Sequence, residues 1–342
     1  MRDDDRLLDL PDPEYGSGVI GVCDICGERQ AVIVLSRERF KLCVLDFLNK
    51  TWLKTDKKPG APLPSYRSER VWFDSVVSST GKASAIVLSP TRVVRHPIVL
   101  VTPDVYGLTT TVLDAAIRFA REGCEVMLPD VAKTDGIGAA HHLTLRSSAQ
   151  FRGGVAADAK RVTELVGLYT DALEFLRHRE MVDPTKSALF GASYGGSLAT
   201  LLAARETRLG ALVVAYPMPI KPDGIPSLVS APVLFLAGDA DRAATKARRQ
   251  FEAARGPNVA YVTLPGARHH FLSRDLGAYD LAQAERAWSA AVGFVKQQLM
   301  PPPPRPPPPP VRPPDAAPPT APRPAAPGTP PPPRPATTAA PR

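Results

Sequence analysis

A serine flanked by glycines follows an apolar stretch of the chain and precedes a run rich in alanine and leucine. The motif Gly191-Ala192-Ser193-Tyr194-Gly195 comes after residues 187–190 and before residues 197–204. This order predicts a strand, a sharp turn and a helix, with the serine hydroxyl exposed at the carboxyl end of a sheet. Glycines on both sides allow the backbone to bend and the helix to approach closely. Ser193 is therefore a candidate nucleophile.

A serine hydroxyl needs a base to take its proton, and that base needs an acid to orient it. Asp239 and Asp241 directly follow an apolar stretch, residues 233–238. His269 and His270 come shortly after another such stretch. Serine, acid and histidine thus each follow a predicted strand, in the chain order that one family of hydrolytic folds uses. The residues alone leave each pair open, and Asp239 is also a candidate cap for the helix that follows it.

Strand-like and helix-like segments alternate from about residue 65 to residue 300. Residues 71–77 and 85–88 predict a hairpin, and Asp183-Pro184 predicts a turn before the serine strand. Continuous apolar runs are suited to buried parallel strands, and helical spacing separates them. The further predicted strands are 98–102, 125–130, 211–216, 233–237 and 259–264, and the predicted helices are 109–122, 155–180, 242–255 and 278–299. The fold class is therefore α/β, with a mostly parallel sheet and helices on both faces.

Five short motifs resemble the dienelactone hydrolase family of the α/β-hydrolase fold, over about residues 70–298. Most of them lie where a predicted strand ends. The motifs are Pro103-Asp104-Val105-Tyr106-Gly107, Leu128-Pro129-Asp130, Val182-Asp183-Pro184 with Gly191-Ala192-Ser193-Tyr194-Gly195-Gly196, Gly238-x-x-Asp241, and Gly266-Ala267-x-His269-x-Phe271. Their register favours Asp241 over Asp239, and His269 over His270.

The resemblance implies a role for seven residues. They are Ser193 as nucleophile, Asp241 as acid, His269 as base, Val105 and Tyr194 as backbone donors of an oxyanion hole, and Asp104 and Tyr106 in the substrate pocket. It implies a serine esterase that cleaves a carboxylic ester or lactone and needs no cofactor for catalysis. The name-giving members carry cysteine at the position of Ser193, so their substrate is not carried over.

Other functions stay open on the same residues. A peptidase or an acyltransferase would use the same nucleophile and base. From a different class, a non-catalytic adaptor would use its terminal regions for binding. The complete set of serine, acid and histidine in the correct order disfavours the adaptor.

Residues 1–64 form a separate module and linker that has nearly the spacing of a zinc ribbon. Cys23-x-x-Cys26 is followed by Cys43-x-x-Asp46, and three thiolates with one carboxylate can bind zinc in a structural site. Residues 31–35 and 39–42 between the two motifs predict a hairpin. We expect one structural zinc at Cys23, Cys26, Cys43 and Asp46, and the alternative is a finger that has lost its metal.

Composition restricts the remaining function classes. Residues 301–342 hold 22 of the 39 prolines, and their five Arg and one Asp supply half of the net charge of +8. This tail is expected to be disordered and extended, as a spacer or as a ligand for a protein partner. The charge that remains is ordinary for an enzyme that binds no nucleic acid. The sequence has no apolar run of about 18 residues to cross a membrane, no secretory signal and four cysteines, so we expect a cytoplasmic enzyme.

Overall fold

The computed structural model describes residues 65–92, 94–104, 107–131, 159–254, 258–274 and 278–300, together with the backbone of five short strands before residue 43. The short strands are β1 (Glu14–Tyr15), β2 (Gly21–Val22), β3 (Gln30–Ala31), β4 (Ile33–Leu35) and β5 (Phe40–Leu42). Strands β4 and β5 pair antiparallel, with Ile33 opposite Leu42. The hairpin predicted for this region is therefore present.

An eight-stranded sheet forms the centre of the hydrolase-like region. Its strands are β6 (Tyr66–Asp74), β7 (Lys82–Pro90), β8 (His96–Thr102), β9 (Glu125–Pro129), β10 (Val182–Ala192), β11 (Ala211–Ala215), β12 (Val233–Gly238) and β13 (Val259–Leu264). Their order in the sheet is β13-β12-β11-β10-β8-β9-β7-β6. Strands β8 to β13 run parallel, whereas β6 and β7 form an antiparallel hairpin at one edge. The predicted mostly parallel α/β architecture is confirmed.

Five α-helices lie among the described residues of this region. They are α1 (Thr110–Arg121), α2 (Ala159–Arg177), α3 (Tyr194–Ala203), α4 (Arg242–Ala253) and α5 (Leu281–Leu299). Helix α1 contacts α5, and α2 contacts α3. Every residue of β8, β9, β11 and β12 is buried, so helices cover both faces of the sheet and continuous apolar strands are favoured there. Among the described helices, none is both long enough and apolar enough to span a membrane.

The serine strand is anchored in the aromatic part of the core. Phe190 of β10 packs on Trp288 of α5, with ring centroids 5.3 Å apart, and on Phe119 of α1 at 5.7 Å. All three side chains are almost fully buried. Burial of rings of this size contributes strongly to core stability, so the strand that carries Ser193 at its end is held rigidly.

The predicted turn at Asp183-Pro184 is wrong in its position. Strand β10 begins at Val182, which pairs with β8, and regular pairing resumes only at Ser187. Proline has no N–H to donate to a neighbouring strand, and residues 184–186 are exposed. The proline therefore interrupts the pairing within a strand rather than preceding it.

The order of the strands also places the candidate site. From the central strand β8, the chain moves to β9 on one side and then crosses back to β10 on the other. The carboxyl ends of β8 and β10 thus meet where the strand order reverses. Such a crevice is where open α/β sheets bind their ligands.

Candidate active site

Ser193 lies at the sharp turn between β10 and α3. Its φ of 52° and ψ of −123° place it in a backbone region that residues other than glycine rarely adopt. The turn is held by a hydrogen bond from the Ser193 N–H to the carbonyl of Ala215, at 2.9 Å. This strained strand–turn–helix geometry is the one that the sequence motif predicts, and it directs the side chain to the carboxyl end of the sheet.

The two glycines of the motif are required by close backbone contacts. A Cβ at Gly191 would overlap the carbonyl oxygen of Gly195 and the Oγ1 of Thr102, and a Cβ at Gly195 would overlap the carbonyl oxygen of Thr102. Thr102 itself donates a hydrogen bond to the Gly195 carbonyl at 2.7 Å. This threonine ties the end of β8 to the first turn of α3. Its role could not be read from the sequence, because nothing local marks it as a neighbour of Gly195.

The structure brings His269 and Asp241 to Ser193. Nε2 of His269 lies 2.9 Å from Oγ of Ser193, and Nδ1 of His269 lies 2.6 Å from Oδ2 of Asp241. The three groups come from turns after β10, β12 and β13. They form one continuous chain of hydrogen bonds from a hydroxyl to a buried carboxylate.

Asp241 also caps the helix that follows it. Its Oδ1 accepts hydrogen bonds from the backbone N–H groups of Ala243 at 2.9 Å and Ala244 at 3.0 Å. Burial by itself would raise the pKa of Asp241, but the hydrogen bond and charge of His269 and these two N–H groups hold it below its usual value. The carboxylate is therefore ionised at neutral pH and is fixed from both sides.

The rival residues occupy other places. Asp239 does not cap α4, as one reading of the sequence proposed, because Asp241 holds that position. Oδ1 of Asp239 instead accepts a hydrogen bond from the N–H of Gly266 at 2.7 Å, which fixes the turn before the histidines. His270 lies beside a different acid, with its Nδ1 3.6 Å from Oδ2 of Asp104. Of the paired candidates, the structure joins only Asp241 and His269 to the serine.

Tyr216 is a site residue that the sequence analysis did not single out. It follows β11 directly, its side chain is fully buried, and its φ is 37°. Its ring makes edge-to-face contacts with His269 at 5.1 Å and His270 at 5.7 Å between centroids. The sequence offered one indication of this role. Tyr216 ends a predicted strand, Ser193 follows another, and the carboxyl ends of parallel strands lie at the same end of the sheet.

The other predicted site residues divide into two groups. Asp104 is buried at the end of β8, and Tyr194 is the first residue of α3. Backbone N–H groups at a helix N-terminus carry partial positive charge and can bind an oxyanion.

The remaining predicted residues lie outside the described part of the chain: Val105, Tyr106, Cys23, Cys26, Cys43 and Asp46. Within the described ranges, no group of three or more histidine, cysteine or acidic side chains is arranged to hold a metal ion.

Comparisons with known proteins identify the family. The model of the dienelactone hydrolase family matches residues 83–299. A Bradyrhizobium protein provisionally named 2-oxo-3-(5-oxofuran-2-ylidene)propanoate lactonase is 24% identical over 248 residues, and the match covers 67% of this chain and 94% of that protein. A Yersinia pestis protein provisionally named carboxymethylenebutenolidase is 24% identical and covers 59% of this chain and 78% of its own.

The fold agrees with solved structures. A dienelactone hydrolase-like promiscuous phosphotriesterase from metagenomic libraries has a TM-score of 0.56 to this chain and 19% sequence identity. The match covers 68% of this chain and 99% of that one. At this identity the similarity shows the fold alone, whereas the family match spans most of the chain between β7 and the end of α5. The chain therefore belongs to the dienelactone hydrolase family of carboxylic ester hydrolases.

Proposed function

We propose that this protein is a serine hydrolase that cleaves a carboxylic ester or lactone through an acyl-enzyme on Ser193. The observation that carries the proposal is the hydrogen-bonded chain from Ser193 through His269 to Asp241, with distances of 2.9 Å and 2.6 Å. Members of the family need no cofactor for this chemistry.

The geometry supports a role for each group in the first step. Because the Asp241 carboxylate can only accept, the imidazole proton lies on Nδ1 of His269, and Nε2 is left as the acceptor. Nε2 takes the proton of Ser193 as Oγ attacks the carbonyl carbon, and the buried carboxylate stabilises the imidazolium that forms. The carbonyl oxygen then carries negative charge. The N–H of Tyr194 at the start of α3, with the N–H of Val105 expected from the family pattern, would donate to it.

The second half of the reaction reverses the proton movement. The imidazolium of His269 gives its proton to the leaving oxygen as the carbon–oxygen bond breaks, which leaves an acyl group on Ser193. Water then loses a proton to Nε2 as it attacks the acyl carbon, and His269 returns that proton to Oγ of Ser193 as the bond between Oγ and the acyl carbon breaks. The net reaction adds one water and consumes no other reactant.

Lactones are the proposed substrate class within the esters. A relative that matches over 94% of its own length is named a lactonase. In a lactone the acyl and alcohol parts stay joined after ring opening, so hydrolysis would give a single hydroxy acid. No feature of the described residues favours the peptidase or the acyltransferase, which stay alternatives.

A fluorophosphonate probe with two variants tests this proposal. The wild type should be labelled and should hydrolyse a short aryl ester and a simple five-membered lactone, whereas Ser193→Ala should lose both properties. Loss of the nucleophile costs several orders of magnitude in kcat. Ser227→Ala is the matched control, because Ser227 is an exposed serine whose hydroxyl contacts only the Gly224 carbonyl. Near-normal turnover in Ser193→Ala would refute the mechanism, and absence of both activities in the wild type would favour the adaptor.

A further inference from the structure

Three non-glycine residues among those described have φ in the left-handed region, and all three lie at the candidate site. They are Ser193 at 52°, Tyr216 at 37° and His270 at 67°. Residues other than glycine adopt this conformation at an energetic cost, and such residues concentrate at functional sites. The strand–turn–helix motif explains Ser193. The hydrolytic mechanism assigns no task to Tyr216 or His270.

The left-handed backbone of His270 separates two consecutive imidazole rings. The His269 ring extends toward Ser193, whereas the His270 ring turns toward the end of β8. There Nδ1 of His270 lies 3.6 Å from Oδ2 of Asp104, and the two side chains are 16% and 2% exposed. The rings of His269 and His270 still touch edge to face, with centroids 4.3 Å apart and planes at 79°. His270 thus bridges a buried acid and the ring that contacts Ser193.

Tyr216 supports the same two rings from another side. Its ring is edge-on to His269 at 5.1 Å and to His270 at 5.7 Å. The His269 ring therefore has two aromatic neighbours, Tyr216 and His270, in addition to its hydrogen bonds to Ser193 and Asp241. Its orientation is restricted from four directions, and only the two hydrogen-bonded partners belong to the mechanism.

His270 is suited to this position because it stays uncharged. Burial and the charge of His269 lower the pKa of His270 to about 3, against a smaller opposing effect of Asp241. A neutral ring neither competes with His269 for the Ser193 proton nor repels the imidazolium that forms on His269. The titratable groups close to it are His269, Asp104, Asp241 and Tyr216.

We propose that His270 is a positioning residue for His269. Packed between Asp104 and Tyr216, its ring holds the His269 imidazole so that Nε2 stays on Ser193 Oγ throughout the reaction. This role rests on the proposed function of Ser193 and His269. It also gives the strained residue a task that glycine could not perform, since glycine would relieve the strain but offers no ring.

Substitution of His270 by glycine separates strain from position. His270→Gly removes the ring and relieves the left-handed backbone, so its melting temperature should not fall far below that of the wild type. Its kcat for an aryl ester should fall about 10- to 100-fold, the usual cost of a loosely held catalytic group, with KM changed less than about twofold. His270→Asn, which tolerates this backbone conformation but also has no ring, should lose kcat to a similar extent. His178→Ala, at an exposed histidine directly after α2, is the control and should match the wild type.

A spectroscopic measurement reports on His269 directly. The low-field proton NMR signal of the His269–Asp241 hydrogen bond should be sharp in the wild type and in His178→Ala, and broadened in both His270→Gly and His270→Asn. Wild-type kcat and an unchanged signal in His270→Gly would overturn the proposal, as would a rise in KM with kcat unchanged. Ser193→Ala distinguishes the two levels of inference. An inactive Ser193→Ala with a fully active His270→Gly refutes the role of His270 alone, whereas an active Ser193→Ala refutes the proposed function and this role with it.

Discussion

Replacing Asp241 with asparagine separates the two tasks of this carboxylate. Oδ1 caps α4 through the N–H groups of Ala243 and Ala244, and Oδ2 lies 2.6 Å from Nδ1 of His269. The asparagine oxygen keeps the cap, which places the NH2 group against Nδ1. Because an NH2 group only donates, Nδ1 must become the acceptor and the ring proton must move to Nε2.

Asp241→Asn should therefore lower kcat strongly and change the free energy of unfolding little. With its proton on Nε2, His269 cannot accept the Ser193 proton across the 2.9 Å that separates the two groups. The equivalent change in a serine protease lowers kcat by about 10⁴, which is about 5.4 kcal/mol at 1.36 kcal/mol for each tenfold change. Asparagine and aspartate cap helices about equally well, so the free energy of unfolding should change by about 1 kcal/mol or less.

The assay compares Asp241→Asn with Asp239→Asn, two residues earlier in the same turn. In Asp239→Asn the side-chain oxygen can still accept from the N–H of Gly266, so we expect kcat for an aryl ester within about threefold of the wild type, since the loss of an exposed charge contributes little. Urea unfolding would establish that both variants are folded. A larger loss of kcat in Asp239→Asn than in Asp241→Asn would refute the reasoning.

The pKa of Asp241 adds a dependence on pH to the same experiment. Burial raises this pKa, but the opposing effects of His269 and the two capping N–H groups together outweigh it, so the net pKa lies below that of an unfolded chain. The stability that Asp241 contributes is therefore fully present above about pH 4, the unfolded pKa, and is lost as the pH falls through the lower native pKa. The difference in unfolding free energy between the wild type and Asp241→Asn should narrow as the pH decreases below this value.

Three further predictions address the turn and the two ends of the chain. Gly191→Ala should lower the free energy of unfolding by about 1–3 kcal/mol, because the added Cβ meets backbone. Gly293→Ala, at an exposed position of α5 where an added Cβ meets nothing, should raise it by about 0.5–1 kcal/mol, and urea unfolding measures both. Deletion of residues 301–342 should leave melting temperature and esterase activity unchanged, since a proline-rich segment buries too little apolar surface to offset its ordering entropy. Elemental analysis should find about one zinc per chain, and removal of the zinc by a chelator should leave ester hydrolysis intact. A zinc content below about half an equivalent per chain would contradict the proposed zinc site. The ligands of that site are Cys23, Cys26, Cys43 and Asp46.

Much of the fold could be predicted because its signals are local. Continuous apolar runs such as residues 98–102 and 211–215 need cover on both faces, which indicates buried parallel strands between helices. The family could likewise be predicted from motifs at strand ends. The start of β10 could not, because the pairing of Val182 with β8 depends on a strand that lies far away in the sequence.

The sequence by itself determined the chemical types at the site and their order along the chain: a serine in a glycine-flanked turn, then an acid, then a histidine, each after an apolar strand. Only the tertiary structure decided which histidine contacts Ser193 and which acid contacts that histidine. Asp239 and Asp241 are of the same type, as are His269 and His270, so residue type and order cannot separate them, and only the register of the family motifs favours Asp241 and His269. Their contacts depend on how β10, β12 and β13 are aligned in the sheet, and on the backbone of His270, which turns one imidazole toward Ser193 and the other toward Asp104.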